Sequence, residues 1–253
     1  MLGAVRRHRT IRKWVRALED GRVDPYDPQV LTPCPGIGYV PVPKAANTSI
    51  RIAMLPLFGG SREDLARPSK VHKHPAIARD AASEVLPALE GDAYLFTVVR
   101  HPASRLRSAW KNKVSSARTF GPARRLGLGR FTSFPDFLRV IAGVPQGVLD
   151  AHFRSQSEHL APLLSDTRLR VFRSEELGRH WEEIAATLEE RSGVRPETLE
   201  AFNRTGAGEA ARFTEEEQRL INYACRDDLR LFGYGWSPEG LPILSGPLAL
   251  ERP

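Results

Sequence analysis

The chain has 253 residues, of which 41% are hydrophobic and 26% charged, and a net charge of +7. That length and apolar content support a sizeable core and exclude a globally disordered chain. The positive balance favours anionic partners, whether a nucleotide, an acidic glycan, nucleic acid or an anionic membrane surface, without choosing among them.

Cys34 and Cys225 are the only cysteines. They make no C-x-x-C, no metal cluster and no disulfide framework, and two free thiols is the plainer reading. No run approaches the roughly 18–20 apolar residues of a membrane span. Arg6, Arg7, Arg9, Arg12, Lys13 and Arg16 interrupt the N-terminus where a signal peptide would be apolar. A cytoplasmic protein is the default expectation.

Residues 4–19 read as a basic amphipathic helix with Ile11, Trp14, Val15 and Leu18 on one stripe. Docking on the domain or on a second subunit is the favoured role, and weak contact with a membrane surface is the other. The Pro/Gly-rich stretch Asp24–Gly38 reads as a linker to a first strand, Ile37–Val42. A helix is expected over Thr48–Leu57 and another over residues 76–90. Tyr94–Val99 is a near-continuous apolar run, as in a strand buried on both faces. Pro102 suits the first position of a helix through about Val114. Ser115–Arg130 reads as a Gly- and Arg-rich loop, and a short helix follows near 133–142. Arg168–Arg173 is the next strand. Leu177, Trp181, Ile184, Ala185 and Leu188 then give the strongest helical period, and a last helix runs from Thr214-x-x-Glu217, a capping box, toward Phe232. This alternation predicts an α/β fold, a three-layer domain with a central parallel sheet flanked by helices.

Val42-Pro43-Lys44-Ala45-Ala46-Asn47-Thr48-Ser49-Ile50-Arg51 sets a lysine and small residues between a strand and a helix. Unpaired amides and the helix dipole favour anions there. Ala45 and Ala46 allow close backbone approach, Thr48 and Ser49 offer hydroxyls, and Lys44 adds a charge. The segment is not a Walker A loop, because its glycines are missing and its lysine comes first. A second element follows the strand Tyr94–Val99: Arg100-His101-Pro102, then Ser104, Arg105 and Ser108. Lys44 and Arg100 both stand at carboxyl ends of strands, where open parallel sheets bind ligands. Arg100 suits a second phosphate.

Together these segments resemble sulfotransferases that use 3′-phosphoadenosine 5′-phosphosulfate (PAPS), especially the carbohydrate and heparan 2-O-sulfotransferase-like branch. Pro43-Lys44…Thr48-Ser49 resembles the family's 5′-phosphosulfate loop, and Thr97–Trp110 its 3′-phosphate motif. Further similarity lies in Phe134–Leu138, His152…Gln156, Val171–Leu177, Asn203-Arg204-Thr205 and Asp228–Tyr234. The family usually has a small residue before the loop threonine, where this chain has Asn47. Asn tolerates unusual backbone angles, and its amide has the reach to touch the sulfate.

The resemblance implies a P-loop-like version of that three-layer α/β fold and in-line sulfuryl transfer from PAPS to an acceptor hydroxyl or amine, with 3′,5′-ADP released. A sulfuryl group carries less charge than a phosphoryl group, so no metal is required, and no metal-ligand spacing appears. Lys44 would neutralise charge on the leaving oxygen. Lys44 through Ser49 would hold the phosphosulfate, Arg100 and Ser108 the 3′-phosphate, and Arg204 and Thr205 a late loop over the nucleotide. Of the H-x-H pair, His74 is the expected general base and His72 the reserve. His101 is expected to orient the Arg100 loop, and His152 and Gln156 either to line the acceptor side or to pack. The implied organisation is an N-terminal helix and linker (1–36), a sulfotransferase domain (37–236) and a tail (237–253). The implied partner is an acceptor glycan or small molecule, and no nucleic acid, since no helix-turn-helix or aromatic-interleaved basic stretch appears. A kinase-like phosphotransferase and a non-catalytic nucleotide or polyanion binder are the alternatives.

Overall fold

The computed structural model describes residues 26–116, 119–200 and 212–249. The expected N-terminal helix (4–19) and Arg204 and Thr205 lie outside them. The described residues fall into two compact units, one of residues 27–100 and 160–200, the other of residues 26, 101–159 and 212–249.

The first unit is built on a five-stranded mixed sheet flanked by helices. Its strands are β1 (Gln29–Cys34), β2 (Ile37–Val40), β3 (Asp80–Ala81), β4 (Tyr94–Val99) and β5 (Leu169–Arg173), in the order β3-β1-β2-β4-β5. The α/β class is as expected, but only β2, β4 and β5 run parallel, while β1 pairs antiparallel with both β2 and β3. Part of the expected linker is therefore strand β1, closed onto β2 by the turn at Pro35-Gly36. The prolines that suggested a linker sit where a sheet tolerates them. Pro33 falls between the paired positions Leu31 and Cys34, where the register shifts.

In β4, Phe96 and Val98 point into a core with Tyr39, Ile50 and Met54 and with Trp181, Ile184 and Leu188. Leu95, Thr97 and Val99 alternate to the opposite face and are buried too. That two-sided burial is why the strand reads as one apolar run. The helix α1 (Asn47–Ala53) is shorter than expected, because Pro56 tightens the chain into a 3₁₀ turn over Leu55–Phe58. The expected helix at 76–90 is reduced to α2 (Ala82–Val85) and a 3₁₀ turn at Leu86–Ala88, with residues 80–81 taken up by β3.

The second unit is helical. Its first helix, α3 (Pro102–Ala109), starts on Pro102 as expected and passes into a π turn over Trp110–Val114, where Trp110 Nε1 donates to the Thr132 carbonyl at 2.9 Å. The stretch expected as a loop contains α4 (Gly121–Arg125), with Ala123, Leu126 and Leu128 buried. Helix α5 (Phe134–Ala142) matches the expected boundaries within a residue, and α6 (Gln156–Leu160) follows. In the first unit α7 (Leu177–Ser192) carries the strong apolar period. The expected last helix is two, α8 (Glu215–Ala224) and α9 (Arg226–Phe232), broken at Cys225. Beyond it β6 (Tyr234–Trp236) pairs antiparallel with β7 (Pro242–Leu244).

Candidate active site

Val40 lies opposite Thr97, and Val99 opposite Arg173. Parallel pairing therefore brings the carboxyl ends of β2, β4 and β5 to one edge of the sheet, the edge at which open α/β sheets take ligands. Pro41, which has no N–H, stops the pairing of β2 and releases the chain into the lysine loop. Thr97 Oγ1 donates to the Val40 carbonyl at 2.8 Å, and the Ser174 N–H to the Val99 carbonyl at 2.7 Å. These bonds lock the three strand ends together. Above them Arg100 Nη1 donates to the Lys44 carbonyl at 3.4 Å. The two residues expected at the 5′-phosphosulfate and at the 3′-phosphate of the donor thus meet at the loop backbone.

The loop has an unusual backbone. Lys44 (φ 71°) and Ala46 (φ 54°) are both left-handed, Ala45 between them is not, and Ala45 N–H reaches back to the Val42 carbonyl at 3.3 Å. Alternation of hand turns successive N–H groups toward one side, the nest geometry that binds anions. The special angles expected at Asn47 belong to its neighbours instead. Asn47 is the first residue of α1, and its side chain is held from within: Arg51 Nε donates to Asn47 Oδ1 at 2.8 Å.

Thr48, one residue further, has its hydroxyl 2.8 Å from His72 Nε2. His72 lies in the 3₁₀ turn Pro68–Lys73, whose Val71 is anchored in the core. His74 sits just past that turn in extended backbone. The two histidines have different partners. His74 Nδ1 accepts from the Ala76 N–H at 3.3 Å, and its Nε2 is 3.8 Å from Asp64 Oδ2. Only His72 is brought to the loop.

Ala45 and Ser49 are buried beneath the loop surface, and Lys44, Ala46, Asn47 and Thr48 are half-buried. Ser108 belongs to the helical unit, where it is buried in α3 and its carbonyl accepts from Asn112 Nδ2. His101 is buried and caps α3. Its Nδ1 accepts from the Ala103 N–H, so Nε2 carries the proton donated to the Gly235 carbonyl at 2.8 Å. Gln156 is fully buried and bonds Asp228 through both its backbone and side chain, a packing role. His152 stands on Asp150 at 2.7 Å, and burial, partly opposed by that bond, pushes its imidazole below the ordinary range. Among the described residues no group of three or more His, Cys, Asp or Glu side chains is placed to hold a metal, and no helix is long and apolar enough to cross a membrane.

Two residues of the site escape the sequence reading. Arg173 ends β5 in register with Val99 and is held by Glu176 at 2.7 Å; its place at a parallel strand end is a usable signal. Arg51 is 4% exposed, and only its spacing of four from Asn47 hints that it serves the loop.

A mixed α/β sheet with a lysine-bearing, left-handed loop between a parallel strand and a helix defines a P-loop-like anion-binding fold. Within that class the chain matches the Sulfotransferase family over residues 30–235 and belongs to it. Comparison with curated proteins and with solved structures gives no match. Membership makes the chain a transferase of sulfuryl groups.

Proposed function

We propose that the chain transfers the sulfuryl group of PAPS to a carbohydrate hydroxyl, in the manner of the heparan 2-O-sulfotransferase-like branch. The observation that carries this is the contact of Arg100 with the Lys44 carbonyl, since it joins the two motifs through which the chain resembles PAPS enzymes. The nest at Lys44–Asn47 and the hydroxyls of Thr48 and Ser49 would receive the 5′-phosphosulfate. Arg100, at the end of β4, would take the 3′-phosphate; the assignment of Ser108 to that phosphate rests on the sequence motif.

In the reaction the acceptor oxygen bonds to sulfur as the bond from sulfur to the 5′-phosphate oxygen breaks. Lys44 offsets the charge that develops on that leaving oxygen, which departs in 3′,5′-ADP. The acceptor proton passes to a histidine. Proximity to the loop favours His72 as that base, reversing the order expected from the motif. His74 Nδ1 is occupied by a backbone N–H and its Nε2 is turned toward Asp64.

Thermal shift with 3′,5′-ADP, 5′-AMP and ATP tests the donor. Selective stabilisation by 3′,5′-ADP is expected, and equal or greater stabilisation by ATP overturns the reading. Labelled PAPS offered to a panel of glycan and small-molecule acceptors tests the acceptor class, and transfer confined to non-carbohydrate acceptors refutes it.

A further inference from the structure

Arg51 is almost wholly buried, yet among the described residues it has no acidic partner. Its one side-chain hydrogen bond is from Nε to Asn47, a neutral amide, and Nη1 has none. Among the described residues no carboxylate lies within ion-pair distance. Buried guanidinium groups are ordinarily paired, because a lone charge removed from water is strongly disfavoured. The groups that act on this one do not neutralise it. Arg79 has the same sign, and burial pushes the Tyr39 phenol well above its ordinary range, so Tyr39 stays neutral. Tyr39 Oη is a second buried polar atom without a partner. The cation therefore stands one helical turn below the loop with no counter-charge among the described residues.

We infer that Arg51 is a positioning residue of the loop whose counter-charge is the anion that Lys44–Ser49 holds. Through Nε it fixes Asn47 Oδ1, which leaves the NH₂ end of that amide to donate to the bound sulfonate or phosphate. Its positive charge adds to the attraction at the loop. The inference rests on the loop's holding the phosphosulfate end of the donor, and it concerns a residue that need not touch the donor.

A purely structural arginine and this one differ in what their loss does. Arg51→Met keeps the apolar stem and removes the charge, and exchanging a buried charge for a hydrophobe of similar size is often neutral or stabilising. The ligand-free melting temperature of Arg51→Met should equal or exceed that of the wild type. Its affinity for 3′,5′-ADP, read by isothermal titration, should fall about tenfold or more, the order of effect of one unit charge at close range in a protein interior. The KM for PAPS should rise more than kcat falls, and Asn47→Ala should show part of the same loss. Arg51→Lys, which restores the charge without the Nε bond, should recover binding in part; it also serves if Arg51→Met fails to fold, by comparison with Arg51→Gln. A lower melting temperature with unchanged 3′,5′-ADP affinity overturns the inference and leaves the donor reading standing. Failure of the wild type itself to bind 3′,5′-ADP overturns both.

Discussion

Ala46 is the sharpest single test of the loop. At an ordinary helical position Ala→Gly costs about 1 kcal/mol through backbone entropy. Ala46 instead has φ 54°, ψ 6°, at the N-terminal cap of α1. A left-handed conformation costs a residue with a Cβ about 1–2 kcal/mol, and glycine removes that strain. Against it stands the added freedom of the unfolded chain, about 0.4–1 kcal/mol. The net expectation for Ala46→Gly is stabilisation of about 0.5 kcal/mol. For a chain of this length that raises the melting temperature by about 1–2 °C. Ala45→Gly provides the contrast: Ala45 is fully buried and not left-handed, so it should lose about 1 kcal/mol or more and melt at least about 2 °C lower. Ala46→Val should fall furthest, since a β-branched residue is a genuine outlier at positive φ. Differential scanning calorimetry on the three variants reads all of this at once. A drop of about 2 °C or more in Ala46→Gly would refute the left-handed loop, and with it the anion nest built on Lys44 and Ala46.

Two further perturbations follow from the same geometry. His72→Ala should abolish transfer and weaken the loop's hold on Thr48, whereas His74→Ala should retain most activity; initial rates with labelled PAPS decide, and full activity in His72→Ala removes it as the base. Asp166 has its carboxyl held below the ordinary range by hydrogen bonds from the Arg168 side chain. A depressed folded pKa stabilises the fold above the unfolded value near 3.9, and the contribution is lost as pH falls through the folded value. Asp166→Asn should therefore cost stability at pH 7 and lose less than the wild type between about pH 4 and 2, as denaturant titrations across that range would show; parallel acid limbs would contradict the assignment.

How much of this was legible in sequence depended on whether the deciding contact was local. Tyr94–Val99 could be bounded to the residue because burial on both faces writes an unbroken apolar run. The stripe Leu177–Leu188 survived as α7 because one face of sixteen residues packs on the sheet. Strand β1 was lost because its signal, Gln-Val-Leu-Thr-Pro-Cys, is short and framed by Pro28, Pro33 and Pro35, which read as punctuation unless one knows that the register shifts at Pro33. At the site, Lys44 and Arg100 were found because strand ends are sequence-visible. The pairing of Thr48 with His72 spans 24 residues and depends on how the 3₁₀ turn is rotated, which spacing alone leaves open between His72 and His74. Arg51 was passed over because a basic residue near a helix end is usually solvated; its burial is a property of the packed sheet and helix.

Most phosphate-gripping loops use glycine where the backbone turns left-handed. This one has none, and it places lysine and alanine there instead. Such strain persists only where neighbours over-determine the backbone, and the two restraints lie on either side of it. Arg100 grips the carbonyl of Lys44, and Arg51 grips the side chain of Asn47, immediately after Ala46. Both restraints are cations, so each interaction that steadies the loop also raises its attraction for an anion. Replacing the left-handed residues by glycine relieves the backbone without touching either cation, whereas replacing Arg51 by methionine removes a cation and leaves the strained backbone in place. Ala46→Gly should consequently gain stability and keep its anion affinity, whereas Arg51→Met should keep its stability and lose anion affinity.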